Sequence, residues 1–376
     1  MPIEALKKIY TVNLTAIRGE KALVFTDTIT SGAAVSQTER VRREGLVRVA
    51  RAAADAGRSL GLEVRYLEYP ALGSPGLEPG RELWRLAFGD DAVDALEGSG
   101  LLGALMEKRA DEAQMEEARA VVKGLAGDSV DVVVALSNFS TTHTRFRALL
   151  TEAAGARYAS MPMFEEDMLY GSMDVDWEAV EKRCGAVAGA LEDGESVRLT
   201  TDDGTDISFG IKGRKVYRDT GILKEPGSVS NLPAGEVYLA PVEGTADGIL
   251  VLNWAPDRRL ASPLRAAVKG GLVTGVTGDD PYVDELRANL ERRPDNRNLA
   301  ELGIGTNEKA KRPDNILESE KIMGTVHMAF GDNTSMGGSV SAPFHQDFVF
   351  FGPTLVVRTA QGEERTILDR GRLLFG

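Results

Sequence analysis

The chain has 376 residues, of which 43% are hydrophobic and 27% are charged, a composition typical of soluble globular proteins that excludes the disordered, collagen-like and membrane-spanning classes. Domains commonly have about 100–200 residues, so this length predicts two of them. The net charge of −13 disfavours polyanionic partners, and we therefore expect no nucleic-acid partner.

Cysteine content and the first residues bear on the compartment. Cys184 is the single cysteine, so no disulfide can form within the chain. The opening residues, MPIEALKKIYTVNL, lack the apolar stretch of a signal peptide, and a run of about 20 apolar residues occurs nowhere. These features predict a cytoplasmic protein without a membrane partner.

The N-terminal half alternates strand-like and helix-like patterns. Residues 36–60 place apolar side chains on one stripe, which predicts an amphipathic helix. Strands are predicted at 21–26 and 62–67, and a continuous apolar run, typical of a parallel strand buried on both faces, occurs at 130–136. We therefore predict an α/β N-terminal domain with a mostly parallel sheet over residues 1–195. Its sequence contains no GxxxxGK[ST] motif, and a nucleotide site is not expected.

The pattern changes after a helical segment at 176–192. Apolar and polar residues alternate around Asp-Gly and Lys-Gly turns at 196–221, which predicts antiparallel strands. One further helix is expected at 281–293. More short strands are expected at 236–240, 249–252, 272–276, 322–330 and 348–357. These elements predict a C-terminal α+β domain, residues 196–376, rich in antiparallel strands.

The chain has three histidines, His143, His327 and His345. Asp347 follows His345 by two positions, and in an extended segment such side chains share a face and can bind one ion. His327 lies in a strand-like segment where its own face otherwise carries threonine and alanine, which leaves space for an ion. For a histidine taken alone, the alternative is a buried ring bonded to a backbone carbonyl.

Two glutamates repeat this arrangement. Glu236 and Glu301 lie in strand-like segments that send aliphatic residues to the opposite face, and each carboxylate points where bulk is absent. For either one alone, the alternative is a solvent-facing side chain. With the residues above they give two imidazoles and three carboxylates without a thiolate, which suits Zn²⁺, Co²⁺, Mn²⁺ or Fe²⁺. Five ligands predict two ions about 3.5–4 Å apart with a bridging water. The predicted ligands are Glu236, Glu301, His327, His345 and Asp347.

Four segments resemble the M29 family of metallopeptidases, the aminopeptidase T group. They are NLPAGEVYLAP at 231–241, ELGIGTN at 301–307, ILESEKIMGTVH at 316–327 and HQD at 345–347. The resemblance implies an α/β N-terminal domain, two divalent metal ions held by the same five residues, and a homodimer. It also implies a metal-dependent aminopeptidase that acts on a small peptide or an amino-acid-derived substrate.

Three further residues are candidates for catalysis. Glu243 is a candidate general base, because it is close in sequence to Glu236. Thr334 stands where the family carries a tyrosine and offers a hydroxyl to a developing oxyanion. His143 follows the predicted strand at 130–136, where parallel sheets place ligand contacts, and is a candidate for reaching the substrate; a loop residue next to a helix cap is the alternative.

Two other functions remain open. Some relatives in the same superfamily are mononuclear non-haem Fe(II) dioxygenases that open dihydroxypyridine rings. His327, His345 and Asp347 form the 2-His-1-carboxylate set that such chemistry uses. Retention of Glu236 and Glu301 favours two ions and ranks this alternative second. A metal-bearing scaffold without an open coordination position is the third hypothesis.

Overall fold

The computed structural model describes residues 2–375, which fold as two compact units. The first unit comprises the chain up to Asp174 together with Gly221–Pro233, and the second comprises Val175–Thr220 and the chain from Ala234 onward. The helix at Trp177–Leu191 thus belongs to the second unit, although it precedes residue 195. The sequence-based boundary at residue 195 stays a prediction of domain organisation.

The first unit is an α/β structure. Its elements are α1 (Ile3–Lys8), β1 (Lys21–Thr28), α2 (Gln37–Ser59), β2 (Glu63–Pro70), α3 (Arg81–Phe88), α4 (Asp90–Gly98), α5 (Leu101–Met106), α6 (Glu112–Gly124), β3 (Val132–Ala135), α7 (Arg145–Glu152) and β4 (Arg157–Ser160), with β8 (Val229–Asn231) returning to it later in the chain.

One parallel sheet organises this unit, in the strand order β2-β1-β3-β4-β8. All four residues of β3 are buried, as expected for a central parallel strand covered on both faces. Against the sheet packs a core of aliphatic and aromatic side chains, in which Phe146 meets Trp84 edge-on at 5.5 Å between ring centroids. At the start of α2, the Ser36 hydroxyl accepts the Glu39 N–H at 3.1 Å and caps the helix.

The second unit is built mainly of antiparallel strands. Its elements are α8 (Trp177–Leu191), β5 (Gly194–Thr200), β6 (Asp206–Gly210), β7 (Tyr217–Asp219), β9 (Glu236–Leu239), β10 (Asp247–Trp254), β11 (Arg259–Lys269), β12 (Leu272–Thr277), α9 (Tyr282–Glu291), β13 (Leu299–Gly305), α10 (Ile316–Ser319), β14 (Val326–Gly331), β15 (His345–Phe350), β16 (Thr354–Thr359), β17 (Glu364–Asp369) and β18 (Arg372–Leu373).

These strands form two sheets. The larger has the order β12-β11-β10-β6-β5-β16-β17-β18, and burial alternates along β11 because one of its faces meets solvent. The smaller has the order β15-β14-β13-β9-β7, and every residue of β13 and β14 is buried. A polar side chain on those two strands is therefore held inside the protein, where it needs a partner.

The predicted fold class is confirmed: a parallel sheet is followed by antiparallel sheets. The strand expected at 348–357 is two strands, because β15 ends at Phe350 and β16 begins at Thr354, after a turn that contains Pro353. Helices α3 to α6, which form much of the first unit's core, had no counterpart in the sequence-based prediction. Within residues 2–375, the structure contains no helix long and apolar enough to cross a membrane.

Candidate metal site

The five predicted metal ligands meet on the smaller sheet of the second unit. Glu236 begins β9, Glu301 lies in β13, His327 in β14, and His345 and Asp347 in β15. The antiparallel register aligns Glu301, Ala329 and Asp347 across three neighbouring strands. Because Ala329 is small, the two carboxylates on either side of it face each other without an intervening side chain.

Three of the five form the tightest cluster. One ligand atom each from Glu301, His345 and Asp347 lies within 4.8 Å of the other two. His345 Nε2 is 3.2 Å from a Glu301 oxygen and 3.4 Å from an Asp347 oxygen. The i, i+2 geometry expected for the His345 and Asp347 pair is therefore present in β15. The Glu301 and Asp347 side chains are mostly buried, whereas one third of the His345 side chain is exposed, so the cluster opens to solvent at the imidazole.

A backbone carbonyl orients the His345 ring. The Nδ1–H of His345 donates to the Asp332 carbonyl oxygen at 2.7 Å. This bond assigns a proton to Nδ1, so Nε2, which faces the carboxylates, is the ring nitrogen that a metal ion would bind after displacing its proton. A second hydrogen bond of this kind is the usual way in which proteins fix a metal-binding histidine.

His327 lies behind Glu301, fully buried. Its Nε2 is 3.4 Å from an oxygen of Glu301 and 3.4 Å from an oxygen of Glu236. A Cβ atom on Gly303 would come within 1.9 Å of this nitrogen, so the imidazole fills the place where a side chain of β13 would be. The space that the small residues around Glu301 were expected to leave for an ion is thus occupied by the His327 ring.

Glu236 is paired with a buried lysine that sequence analysis did not single out. Lys321, which is 1% exposed, lies with its Nζ 2.7 Å from Glu236 Oε1 and 2.9 Å from Glu320 Oε2. Burial by itself lowers a lysine pKa, but these two carboxylates hold the pKa of Lys321 well above its ordinary value. The ammonium ion therefore places a fixed positive charge against Glu236.

The charges of the cluster shift the pKa values of its histidines. Burial alone would lower the pKa of His345, but Asp347 and Glu301 outweigh burial and raise it to about 12. Burial likewise opposes the protonation of His327, and the adjacent glutamates raise its pKa to about 9. The clustered carboxylates therefore favour bound positive charge. Protons on the histidines supply this charge when no ion is bound, and a cation that displaces these protons supplies it instead.

The donor atoms present fit a divalent metal ion. Among residues 2–375, Glu236 Oε2, His327 Nδ1 and Asp347 Oδ1 are buried without a hydrogen-bond partner. Buried polar atoms are rarely left unpaired, and unpaired ones at a cluster of ligands point to an absent ion or water. Imidazole nitrogens and carboxylate oxygens suit Fe²⁺, Mn²⁺, Co²⁺ and Zn²⁺.

Glu243 and Thr334 engage in local hydrogen bonds of the second unit. Glu243 accepts from the Asn333 side chain at 2.9 Å and from the Ser339 N–H at 2.8 Å, and it is ion-paired with Arg214. Partial burial opposes its ionisation, but these contacts lower the pKa of Glu243 to about 2. Thr334 is exposed and its hydroxyl donates to Asp332 at 2.8 Å.

His143 lies in the first unit, in the loop between β3 and α7, and its side chain is exposed. Its carbonyl oxygen accepts from Lys108 Nζ at 2.7 Å. The neighbouring Thr144 caps α7 by accepting the Arg147 N–H at 3.0 Å, as considered for this loop. A contact between His143 and a substrate stays a prediction.

Lys321 and the Asp332 carbonyl are the contributors that sequence reasoning missed. The signal for Lys321 was the charged pair Glu320-Lys321 in a segment just before a buried strand, where a lysine needs a partner. The Asp332 contact gave no signal, because a backbone carbonyl is present at every position of the chain.

A family model for NicX, 2,5-dihydroxypyridine 5,6-dioxygenase, matches residues 88–374. This span is most of the chain and includes all five candidate ligands. The chain belongs to the NicX family. A curated member, 2,5-dihydroxypyridine 5,6-dioxygenase from Pseudomonas putida, is 23% identical over 321 residues, which are 80% of this chain and 81% of the relative.

Two solved structures share the fold. The 2,5-dihydroxypyridine dioxygenase of Pseudomonas putida superposes with a TM-score of 0.67 at 17% identity and covers 99% of this chain and 96% of its own. AmpT from Thermus thermophilus superposes with a TM-score of 0.56 at 14% identity, covering 99% of this chain and 98% of its own. The resemblance to the M29 peptidases is therefore confirmed as a likeness of fold.

The predicted aminopeptidase function is wrong. NicX-family membership replaces the hydrolase, aminopeptidase and metalloprotease assignments, and it favours the dioxygenase that ranked second. The aminopeptidase was ranked above the dioxygenase because all five ligand residue types are retained. One fold supports both chemistries, and residue types do not show how many ions bind. The general-base role of Glu243 and the oxyanion role of Thr334 were expected for hydrolysis and lose their basis with it.

Proposed function

We propose that the protein is an Fe(II)-dependent dioxygenase that opens a hydroxylated pyridine ring. The observation that carries this proposal is the cluster of Glu301, His345 and Asp347 on strands that the NicX family model spans. The substrate class that we propose is the one in the name of the curated relative, a dihydroxypyridine.

One ion, held by Glu301, His345 and Asp347, accounts for the site better than two. The ligand atoms of these three residues are mutually within 4.8 Å. Glu236, which a second ion would need, already has the Lys321 ammonium at 2.7 Å. A second divalent cation there would meet a fixed positive charge in a buried environment, where repulsion is weakly screened. This ligand set replaces the triad of His327, His345 and Asp347 considered from the sequence.

A bound Fe(II) ion would supply the open coordination positions and the redox chemistry that let O₂ react with an aromatic ring. The chain's own residues determine where this happens. Asp332 fixes the His345 ring through Nδ1, and His327 holds Glu301 from its buried side at 3.4 Å. The partly exposed His345 edge is where a ring can approach, because the other side of the cluster is closed by His327 and Gly303.

The proposed reaction balances without an added reductant. One carbon–carbon bond of the ring breaks next to a hydroxyl-bearing carbon, and each of the two carbons gains one oxygen atom from O₂. The hydroxyl-bearing carbon becomes a carboxyl group and its neighbour a formyl group. One O₂ is therefore consumed for each ring opened.

The test is oxygen uptake by the full chain reconstituted with Fe(II) under anaerobic conditions and then given 2,5-dihydroxypyridine in air-saturated buffer. We expect one O₂ consumed per ring lost, one iron per chain, and no turnover with Zn²⁺ in its place. His345→Ala should lose iron and activity. Gln346→Ala is the matched control, because this neighbour on β15 bonds Tyr282 and not the cluster.

Full iron loading without oxygen uptake on dihydroxypyridines would overturn the proposal. So would unchanged activity of His345→Ala. Two irons per chain at full activity would retain the reaction and reject the single-ion site.

A further inference from the structure

The first unit contains a buried arginine with an unused hydrogen-bonding edge. Arg43 of α2 is 4% exposed, and its Nε and Nη2 atoms have no hydrogen-bond partner within the described chain. Its Nη1 lies 3.5 Å from a Glu39 oxygen, and its guanidinium lies over the Phe139 ring at 5.5 Å. Leaving two donors of a buried cation unpaired is costly, so the edge calls for an acceptor.

The unused atoms are the pair that binds carboxylates side-on. On the same helix and in the wall of the same cavity, Arg51 uses Nε and Nη2 to hold Glu68 at 2.6 and 2.9 Å. Arg198 uses the same two nitrogens to hold Asp206 at 2.9 and 2.8 Å. Two parallel N–H donors match the two oxygens of a carboxylate or phosphate. The open edge of Arg43 has the same donors and lacks the oxygens.

The nearby carboxylate does not fill this role. Asp27, at the end of β1, accepts the backbone N–H groups of Asn138 at 2.7 Å and Phe139 at 3.0 Å, one on each oxygen. Arg42, beside Arg43, donates from Nη2 to the Asn138 side chain and leaves its buried Nη1 unpaired among the described residues. Two adjacent arginines thus present three unsatisfied donors.

Arg43 also lines a cavity of the first unit. It has a volume of about 460 Å³, and its wall contains three further arginines, Arg40, Arg48 and Arg51, and two carboxylates, Glu44 and Glu68. The cavity lies where β1 ends and α2 follows, and the carboxyl ends of parallel strands are the usual ligand-binding edge of such a sheet. Its volume is many times the roughly 30 Å³ of one water molecule.

We infer that this cavity is a binding site for a small oxyanion, a carboxylate or a phosphate, held by the Nε/Nη2 edge of Arg43. Apolar contacts from Ile29 and Val47 suit the carbon chain of an organic acid. In the ligand-free state both nitrogens are covered, so binding includes a turn of the Arg43 side chain towards the cavity that it lines. The site lies in the first unit and does not depend on the proposed oxygenase reaction.

The experiment is calorimetric titration of the metal-free full chain with succinate and, separately, with inorganic phosphate. Absence of metal ensures that neither anion binds through an ion in the second unit. We expect saturable binding of at least one anion to the wild type. Arg43→Lys should weaken this binding at least tenfold, because lysine keeps the positive charge but lacks the two parallel N–H donors of the guanidinium group. The anion that binds more tightly shows whether the site prefers a carboxylate or a phosphate.

Two further variants keep the test decisive. Val47→Phe fills the cavity while leaving Arg43 in place, and it should weaken binding as strongly even if Arg43→Lys does not fold. Arg198→Lys, at an arginine fork already occupied by Asp206 in the other unit, should bind like the wild type. Absence of saturable binding to the wild type, or binding that survives Val47→Phe, would overturn the inference.

Discussion

Gly303 shows how one missing side chain shapes the candidate metal site. Its position opposite His327 in the β13–β14 ladder leaves space above β13 that the imidazole fills. The ring in turn contacts Glu301 at 3.4 Å. The orientation of a proposed ligand therefore depends on a glycine two residues away on the same strand.

Gly303→Ala should weaken metal binding about 10–100-fold, the range found when a group supporting a ligand is disturbed. The new Cβ would lie 1.9 Å from His327 Nε2, so the ring must move and Glu301 loses its neighbour. Iron and zinc affinity, measured by competition with a chelator, checks this. Gly275→Ala, whose Cβ would meet nothing within 4 Å, is the control. Equal affinities of both variants would contradict the expected role of Gly303.

Glu243→Gln should reduce stability in a pH-dependent way. The folded state holds the pKa of Glu243 at about 2, below its ordinary value of 4.5, because it accepts hydrogen bonds from Asn333 and Ser339 and pairs with Arg214. A depressed pKa contributes stability above about pH 4.5, and this contribution is lost as the pH falls towards 2. We expect a loss on the order of 1–3 kcal/mol at pH 7 that shrinks below pH 4.

Urea unfolding of wild type and variant between pH 3 and pH 7 measures this difference. Glu364→Gln, at an exposed carboxylate of β17 in the same unit, is the control and should change stability only slightly. A constant difference for Glu243→Gln would show that its ionised form is not the stabilising one.

Among the elements, the strands of the parallel sheet were the most predictable. The segments predicted as strands at 21–26, 62–67 and 130–136 lie within a few residues of β1, β2 and β3. Helices α3 to α5 were missed because they have only 8, 9 and 6 residues and follow one another closely, so no apolar period extends far enough to be distinctive. Their boundaries depend on local caps and on packing against the sheet.

Asp111→Ala should destabilise α6 by about 1 kcal/mol, the usual cost of losing an N-cap. The Asp111 side chain accepts the Gln114 N–H at 2.9 Å, and the Gln114 side chain accepts the Asp111 N–H at 3.1 Å, which completes a capping box. Thermal unfolding followed by circular dichroism checks the loss. Glu117→Ala, on the exposed face of the same helix, should change stability by less than about 0.5 kcal/mol, and an equal effect of both substitutions would refute the cap.

At the scale of the whole molecule, the candidate metal site is confined to one of the two units. All five candidate ligands lie in the second unit, on strands from distant parts of the chain, whereas the Arg43 cavity lies in the first. Metal binding therefore ties together β9, β13, β14 and β15 without a ligand from the parallel sheet. Homodimer formation stays a prediction, which light scattering of the purified protein can test.

Metal removal should act unevenly on the chain. A ligand that binds only the folded state stabilises it by about 2.7 kcal/mol when its concentration is 100 times the dissociation constant. We expect hydrogen exchange to accelerate in β9 and β13 to β15 after chelation and to remain unchanged in β1 to β4. Equal changes in both units would contradict a metal site confined to the second.

The sequence by itself determined the fold class, the strands that carry the chemistry and the residue types of the candidate metal site. Alternating or continuous apolar residues indicate which strands are buried. Glu301 and His327 lie inside the protein because they are on such strands. Only the tertiary structure decided which of those residues group together, because strand register brings Glu301 beside His345 and Asp347, whereas Lys321 takes the place beside Glu236. Distances across a sheet depend on pairings between residues far apart in the chain, and neither periodicity nor spacing records them.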